Sequence, residues 1–180
     1  MRTLKEVLNG REEYSQDLFV RILDEVRELG EIDEIRERTD EDLFRFFVAG
    51  NLVGGWKADG WWELICNYPQ WVSYIPQTLE ILNLPEMKKA FERVIDCFPE
   101  STVFAYTDTY IDTVNFLQNV RFKISDEYLN SFSKDRRKEM SEELHKSIDE
   151  LEELTEEVWG YQAKEKGWGS VIDFVERVKG

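Results

Sequence analysis

By residue type, the best candidates for catalysis or metal binding in this 180-residue chain are one histidine, His145, and two cysteines, Cys66 and Cys97. Glu142 and His145 form the Glu-x-x-His half of a carboxylate-bridged di-metal site. A bundle that holds such a centre takes that motif from two helices, and a chain with a single histidine has no second copy. No cysteine stands at zinc-ligand spacing from it. A serine or cysteine nucleophile needs a base, and His145, among Glu142, Glu143 and Lys146, reads as a solvated helix-surface residue. Cys66 and Cys97 belong to no CxxC motif and read as reduced, buried thiols. The run Gly50-Asn-Leu-Val-Gly54-Gly55-Trp56-Lys57 lacks the Gly-Lys-Ser/Thr ending of a phosphate loop and follows a helix rather than a strand. No metal, cofactor or catalytic set is expected. A carboxylate-only enzyme is the form that enzymatic activity would have to take, and among 38 acidic residues any chosen pair arises by chance.

Charge carries more information. The chain has 38 acidic against 23 basic residues, a formal charge of -15. Such a balance disfavours phosphate backbones and anionic membranes and favours basic partners. Neither direct nucleic-acid binding nor a membrane partner is expected, and a basic, DNA-binding protein is. Two blocks concentrate the acids. Residues 31–42 carry Glu31, Asp33, Glu34, Glu37, Asp40, Glu41 and Asp42 against Arg36 and Arg38. Residues 149–157 carry Asp149, Glu150, Glu152, Glu153, Glu156 and Glu157 with no base. On a helix, Asp149, Glu153 and Glu157 share one face with about 6 Å between neighbours, a spacing that approximates phosphates along a DNA strand. Like charges so placed weaken an isolated helix by a few tenths of a kcal/mol per pair. The competing reading is a solvated face that keeps the protein in solution. The rings of Trp56, Trp61, Trp62, Trp71, Tyr68 and Tyr74 fit core packing, a protein interface or a small-molecule pocket.

Helices must position these groups. Apolar residues recur at steps of three and four over about 12–29, with Gly30 as a stop. A second helix is expected from a Thr39 cap through Val48, before Gly50, Gly54 and Gly55 interrupt the pattern in a compact turn region. Pro69 and Pro85 open two helices that read as an antiparallel hairpin ending at Pro99. Residues 101–106 resemble a strand without a pairing partner and read as a connector. Weak helices follow at 110–122 and 126–132. The longest runs over 134–159 on Met140, Leu144, Ile148, Leu151, Leu154 or Thr155, and Val158, and a last one lies over 171–178. No Pro/Ser-rich linker or repeat divides the chain, so a single all-α domain over 1–180 with a long helix towards its C-terminus is expected. No run of about 18 apolar residues occurs, and the N-terminal residues lack the apolar core of a signal peptide, so a cytoplasmic location is expected.

The segment Phe46-Phe-Val-Ala-Gly-Asn-Leu-Val-Gly-Gly-Trp56, followed by Trp61-Trp-Glu-Leu-Ile-Cys-Asn67, resembles the signature of an acidic all-helical bacterial DNA-mimic protein family, most of whose members have no assigned function. Gly54, Gly55, Trp56, Trp61, Trp62 and Asn67 carry the likeness, which spans roughly residues 40–120. Val53 stands where the pattern has Asn, and Lys57 to Gly60 are inserted before the second aromatic group. The resemblance implies an all-helical fold, a homodimer, no cofactor, and an acidic surface that occupies the DNA-binding face of a transcription factor or similar basic protein. The motif residues would be structural rather than contacting. The alternative is an immunity or regulatory protein that binds its partner through an aromatic patch.

Overall fold

In the computed structural model, which describes residues 1–10 and 13–179, the periodic apolar runs become helices. They are α1 Leu4–Val7, α2 Gln16–Arg27, α3 Ile32–Arg38, α4 Glu41–Asn67, α5 Ile75–Ile81, α6 Pro85–Asp96, α7 Asp108–Gln118, α8 Glu127–Asn130, α9 Lys134–Trp159 and α10 Gly169–Lys179. A 3-10 turn, Pro69–Tyr74, leads into α5. The only β-type pairing among the described residues is an isolated bridge between Arg2 and Thr39. The chain is therefore all-α. The expected start of the first long helix, near residue 12, lies outside the described residues; α2 begins at Gln16, where the Ser15 hydroxyl accepts from the Leu18 N–H.

α4 is the central element, in contact with α1, α2, α3, α5, α9 and α10. Its first segment buries Leu43, Phe46, Phe47, Leu52 and Val53. A helix apolar around most of its circumference belongs inside a protein, and each of these side chains contributes about 1.5–3 kcal/mol by leaving water. That burial overrides the glycine signals. α4 runs unbroken through Gly50, Gly54 and Gly55, where a turn region was expected, and breaks at Gly60 (φ +81°, ψ 177°). An L side chain rarely adopts that φ. The helix also starts one residue later than expected: Asp40, not Thr39, accepts from the Leu43 N–H (2.8 Å), while Thr39 donates back to the Ile35 carbonyl and ends α3.

α9 occupies the residues its periodicity predicts. It packs on α4, α6 and α7 through Met140, Leu144, Leu151, Thr155 and Trp159, with Thr155 rather than Leu154 at the buried position. Its N-terminal end is fastened by Arg137, whose guanidinium donates to the carbonyls of Asn115, Phe116, Asn119 and Phe122 (2.8–3.3 Å). Those carbonyls belong to the C-terminal end of α7 and the residues after it, where unpaired acceptors and the negative end of the helix dipole favour a cation. α5 and α6 pack together as expected, but Pro69 opens a 3-10 turn through Tyr74 and the α-helix begins only at Ile75. No helix of the described residues is long and apolar enough to cross a membrane.

Candidate functional site

The tryptophans meet in the interior. Trp61 is fully buried and stacks on Trp159 (centroids 5.7 Å apart), and Trp56 meets Trp159 edge-on at 6.2 Å. Glu152 holds this group together. Its carboxylate accepts from the Trp56 indole and from the Trp61 backbone N–H (2.7 Å), so it caps the half-helix that begins after Gly60. The Trp61 indole donates to the Thr155 hydroxyl at 2.7 Å, which in turn donates to the Leu151 carbonyl. Trp62 is half-buried on Phe98 and Trp71 on Phe47. The Asn67 amide donates to Glu63. A methyl on Gly55 would come within 2.6 Å of Leu64, whereas one on Gly54 would meet nothing within 4 Å.

Most of the acids of residues 31–42 are occupied locally. Glu34 accepts from the Glu31 N–H (2.9 Å) and pairs with Arg38 at 3.6 Å. Asp33 accepts from the Tyr74 hydroxyl. Asp40 accepts from the N–H groups of both Leu43 and Leu4. Glu41 pairs with Arg45. Glu37 and Asp42 make no ion pair or hydrogen bond with the described residues. Glu31 is exposed beside them.

The acids of residues 149–157 divide by face. Glu152 points inward. Glu150 pairs with Arg93 (3.6 Å) and, more distantly, with Lys146 (3.9 Å). Glu156 faces Lys57. Asp149, Glu153 and Glu157 are exposed and make no ion pair or hydrogen bond with the described residues. The helix carries these charges against its own dipole. Lys134, Arg136, Arg137 and Lys138 stand near its N-terminus, and its last turn holds no base. Charges set the favourable way contribute about 0.3–1 kcal/mol each near a helix end, so α9 forgoes that stabilisation and relies on Leu151, Thr155 and Trp159, all fully buried. The two acidic blocks do not merge. Asp40 caps one end of α4 and Trp56, sixteen residues on, touches Glu152; at 1.5 Å per residue that places the blocks about 24 Å apart.

A groove of about 710 Å³ lies between α2, α4 and the connection from α9 to α10. Lys57 lines it, with a buried ammonium that has no hydrogen-bond partner and sits 3.9 Å above the Tyr161 ring. Burial holds Lys57 below the usual lysine pKa, opposed by the field of Glu156. Trp168, only 2% exposed, also lines the groove, and its indole N–H has no acceptor. Between Tyr161 and Trp168 the backbone makes a left-handed turn, with φ of +50° at Glu165, +52° at Lys166 and +92° at Gly167. Two non-glycine residues there each carry a strain of about 1–2 kcal/mol. No sequence motif marks Lys57, because the run that contains it lacks the ending of a phosphate loop. The available signal was its isolation, since Lys57 and Asp59 are the only charges between Phe46 and Trp62.

The remaining reactive types are quiet. Burial, reinforced by Glu63, pushes the Cys66 thiol up to about 12, and burial also raises Cys97. Neither is poised as a thiolate. His145 is exposed and its Nδ1 donates to the Ser141 carbonyl (2.6 Å). Among the described residues no three His, Cys, Asp or Glu side chains stand close enough to hold a metal ion.

Fold and surfaces together define an acidic all-helical chain with an unpaired carboxylate row on its longest helix and, elsewhere, a groove of mixed charge that holds Lys57. Compared with protein families, curated proteins and solved structures, the chain matches none.

Proposed function

We propose that the protein is a non-catalytic binding protein that presents the outer face of α9 to a basic, DNA-binding protein and takes the place of DNA there. The observation that carries this reading is the row Asp149, Glu153 and Glu157, exposed and without partners on a helix that the core holds rigid. Neighbours stand about 6 Å apart, on a helix whose backbone is fixed by its buried face before any partner arrives. A row on a preformed helix needs no backbone ordering on binding, and it steers a lysine- and arginine-rich surface at long range. The overall charge of -15 acts in the same direction. The likeness of residues 40–120 to the DNA-mimic family adds to this reading, as does the interior position of Trp56 and Trp61, which removes them as anchors for an aromatic interface. A homodimer, which the resemblance implies, would carry two such rows; light scattering reads the stoichiometry.

The test uses the intact chain on a resin, captures proteins at low salt and elutes with a salt gradient. Capture is expected to weaken steeply as the screening length falls from about 10 Å at 0.1 M salt to about 3 Å at 1 M. Double-stranded DNA should displace the captured proteins, and Asp149→Asn/Glu153→Gln/Glu157→Gln should lose them. Salt-resistant partners indifferent to DNA and to the triple variant overturn the reading.

A further inference from the structure

The groove beside Tyr161 collects features that the fold itself does not use. The Lys57 ammonium has three N–H donors and no acceptor among them; the ring of Tyr161 above it attracts the charge but completes no ordinary hydrogen bond. Trp168 is buried to 98% with its indole N–H equally unmatched. Buried donors are nearly always paired, and two unpaired donors on residues that line one groove point to an acceptor supplied from outside. The walls are apolar where the floor is polar. Val20, Tyr68 and Tyr161 are among the exposed large hydrophobic side chains (41%, 50% and 67%), and all three border this groove, as does half-buried Trp71. Gly54 also borders it, inside a helix where glycine is unfavourable, and the fold gives no reason for its size, since a methyl there meets nothing within 4 Å. At about 710 Å³ the groove falls within the range of small-molecule sites.

We propose that this groove binds a small aromatic anion, whose carboxylate or phosphate oxygens accept from Lys57 Nζ and Trp168 Nε1 and whose ring lies over Gly54 beside Tyr68 and Trp71. Tyr161, two-thirds exposed in the connection after α9, swings aside to admit the anionic end. Arg27 does not supply the charge, because the Asp24 carboxylate (2.6 Å) and the Asn51 side-chain amide oxygen (2.7 Å) already occupy its guanidinium. Asp24, Asp59 and Glu63 also border the groove and Glu156 faces Lys57; Asp24 is held by Arg27, and the others repel a second negative group, so the occupant carries one anionic end, hydrogen-bonded to Lys57, on an uncharged body. This site is separate from the outer row of α9, and either can exist without the other.

The experiment follows the indole N–H resonance of Trp168, assigned with Trp168→Phe, in ¹H–¹⁵N spectra of the full chain during titration with phenylacetate, phenyl phosphate and benzyl alcohol. A saturable shift is expected with at least one of the two anions, and the comparison between them identifies the head group. Benzyl alcohol should leave the resonance in place. Lys57→Met, which keeps the stem and removes the ammonium, should weaken binding at least about tenfold, the loss of a charged hydrogen bond. Gly54→Leu, which fills the floor, should abolish it. Circular dichroism of both variants should match the wild type. No saturable shift with either anion overturns the proposal, and so does equal binding of benzyl alcohol, unaltered affinity in Lys57→Met, or unaltered affinity in Gly54→Leu. The wild-type titration decides the matter even if a variant fails to fold.

Discussion

Residues 31–42 and 149–157 are alike in composition and opposite in use. In the first block the carboxylates serve the chain: Glu34 and Asp40 accept from backbone amides at helix starts, Glu41 pairs with Arg45, and Asp33 receives the Tyr74 hydroxyl. In the second, the inward Glu152 joins the tryptophans while its neighbour Glu153 stands in solvent without a partner. The difference teaches that acidic density alone does not mark a binding surface. What marks one is carboxylates left over after the fold has taken those it needs, on an element whose position is otherwise fixed.

The widest contrast within one helix is the first to try to break. Glu152→Ala leaves the Trp56 indole and the Trp61 amide without their acceptor, and should cost about 3 kcal/mol in urea denaturation. Glu153→Ala should change stability by no more than about 0.5 kcal/mol, as at an ordinary surface site. Equal losses would erase the distinction between the faces of α9. Asp40→Ala comes next: the loss of a helix cap should cost about 1–2 kcal/mol, whereas Glu37→Gln in the same block should cost nothing measurable. Gly54→Ala works in the opposite sense. With open space around the new methyl, replacing a helix-interior glycine should add up to about 1 kcal/mol, read as a rise in melting temperature. A loss there would show that Gly54 is needed by the fold and not by an occupant. The smallest effect belongs to Asp149→Asn/Glu153→Gln/Glu157→Gln, which should gain a few tenths of a kcal/mol at low salt through relief of like-charge repulsion. That gain should shrink as salt is added, and a destabilised triple variant would mean that the row has a structural role.

The fold was legible in the sequence wherever one helix supplied its own pattern. α9 lies over the residues its three-and-four spacing marks, because a 26-residue helix offers many turns in which to register a seam. α3 went unread among the acids, since Ile32 and Ile35 are its only buried residues and too few to show a period. The misplaced break in α4 has a different origin. Gly50, Gly54 and Gly55 each weaken a helix by about 1 kcal/mol relative to alanine, but the burial of Phe47, Leu52, Val53 and Trp56 around them outweighs that penalty. The true break needs a glycine at φ +81° together with a carboxylate from α9, and the second condition is invisible locally. The same holds for the surfaces. The row at 149, 153 and 157 follows from spacing, whereas which acids stay free depends on partners as far away as Arg93 and Trp56. Lys57, Tyr161 and Trp168 come from segments about a hundred residues apart, and no local pattern joins them.

The cap on the second half of α4 has a consequence for the order in which the chain is made. Trp61 and Trp56 receive their acceptor from a residue 91 and 96 positions downstream. During synthesis the stretch from Trp61 to Asn67 therefore emerges with its first amide unsatisfied; Phe91 and Phe98 can meet Trp61 and Trp62 earlier, but the amide and the side of Trp61 that stacks on Trp159 wait until most of α9 has left the ribosome. The N-terminal portion through Val53 meets its partners α2 and α3 much earlier. Translation thus separates the two halves of α4 in time: an interrupted or truncated chain that stops before Glu152 leaves uncovered the sides of Trp56 and Trp61 that Trp159 and Glu152 close in the finished protein.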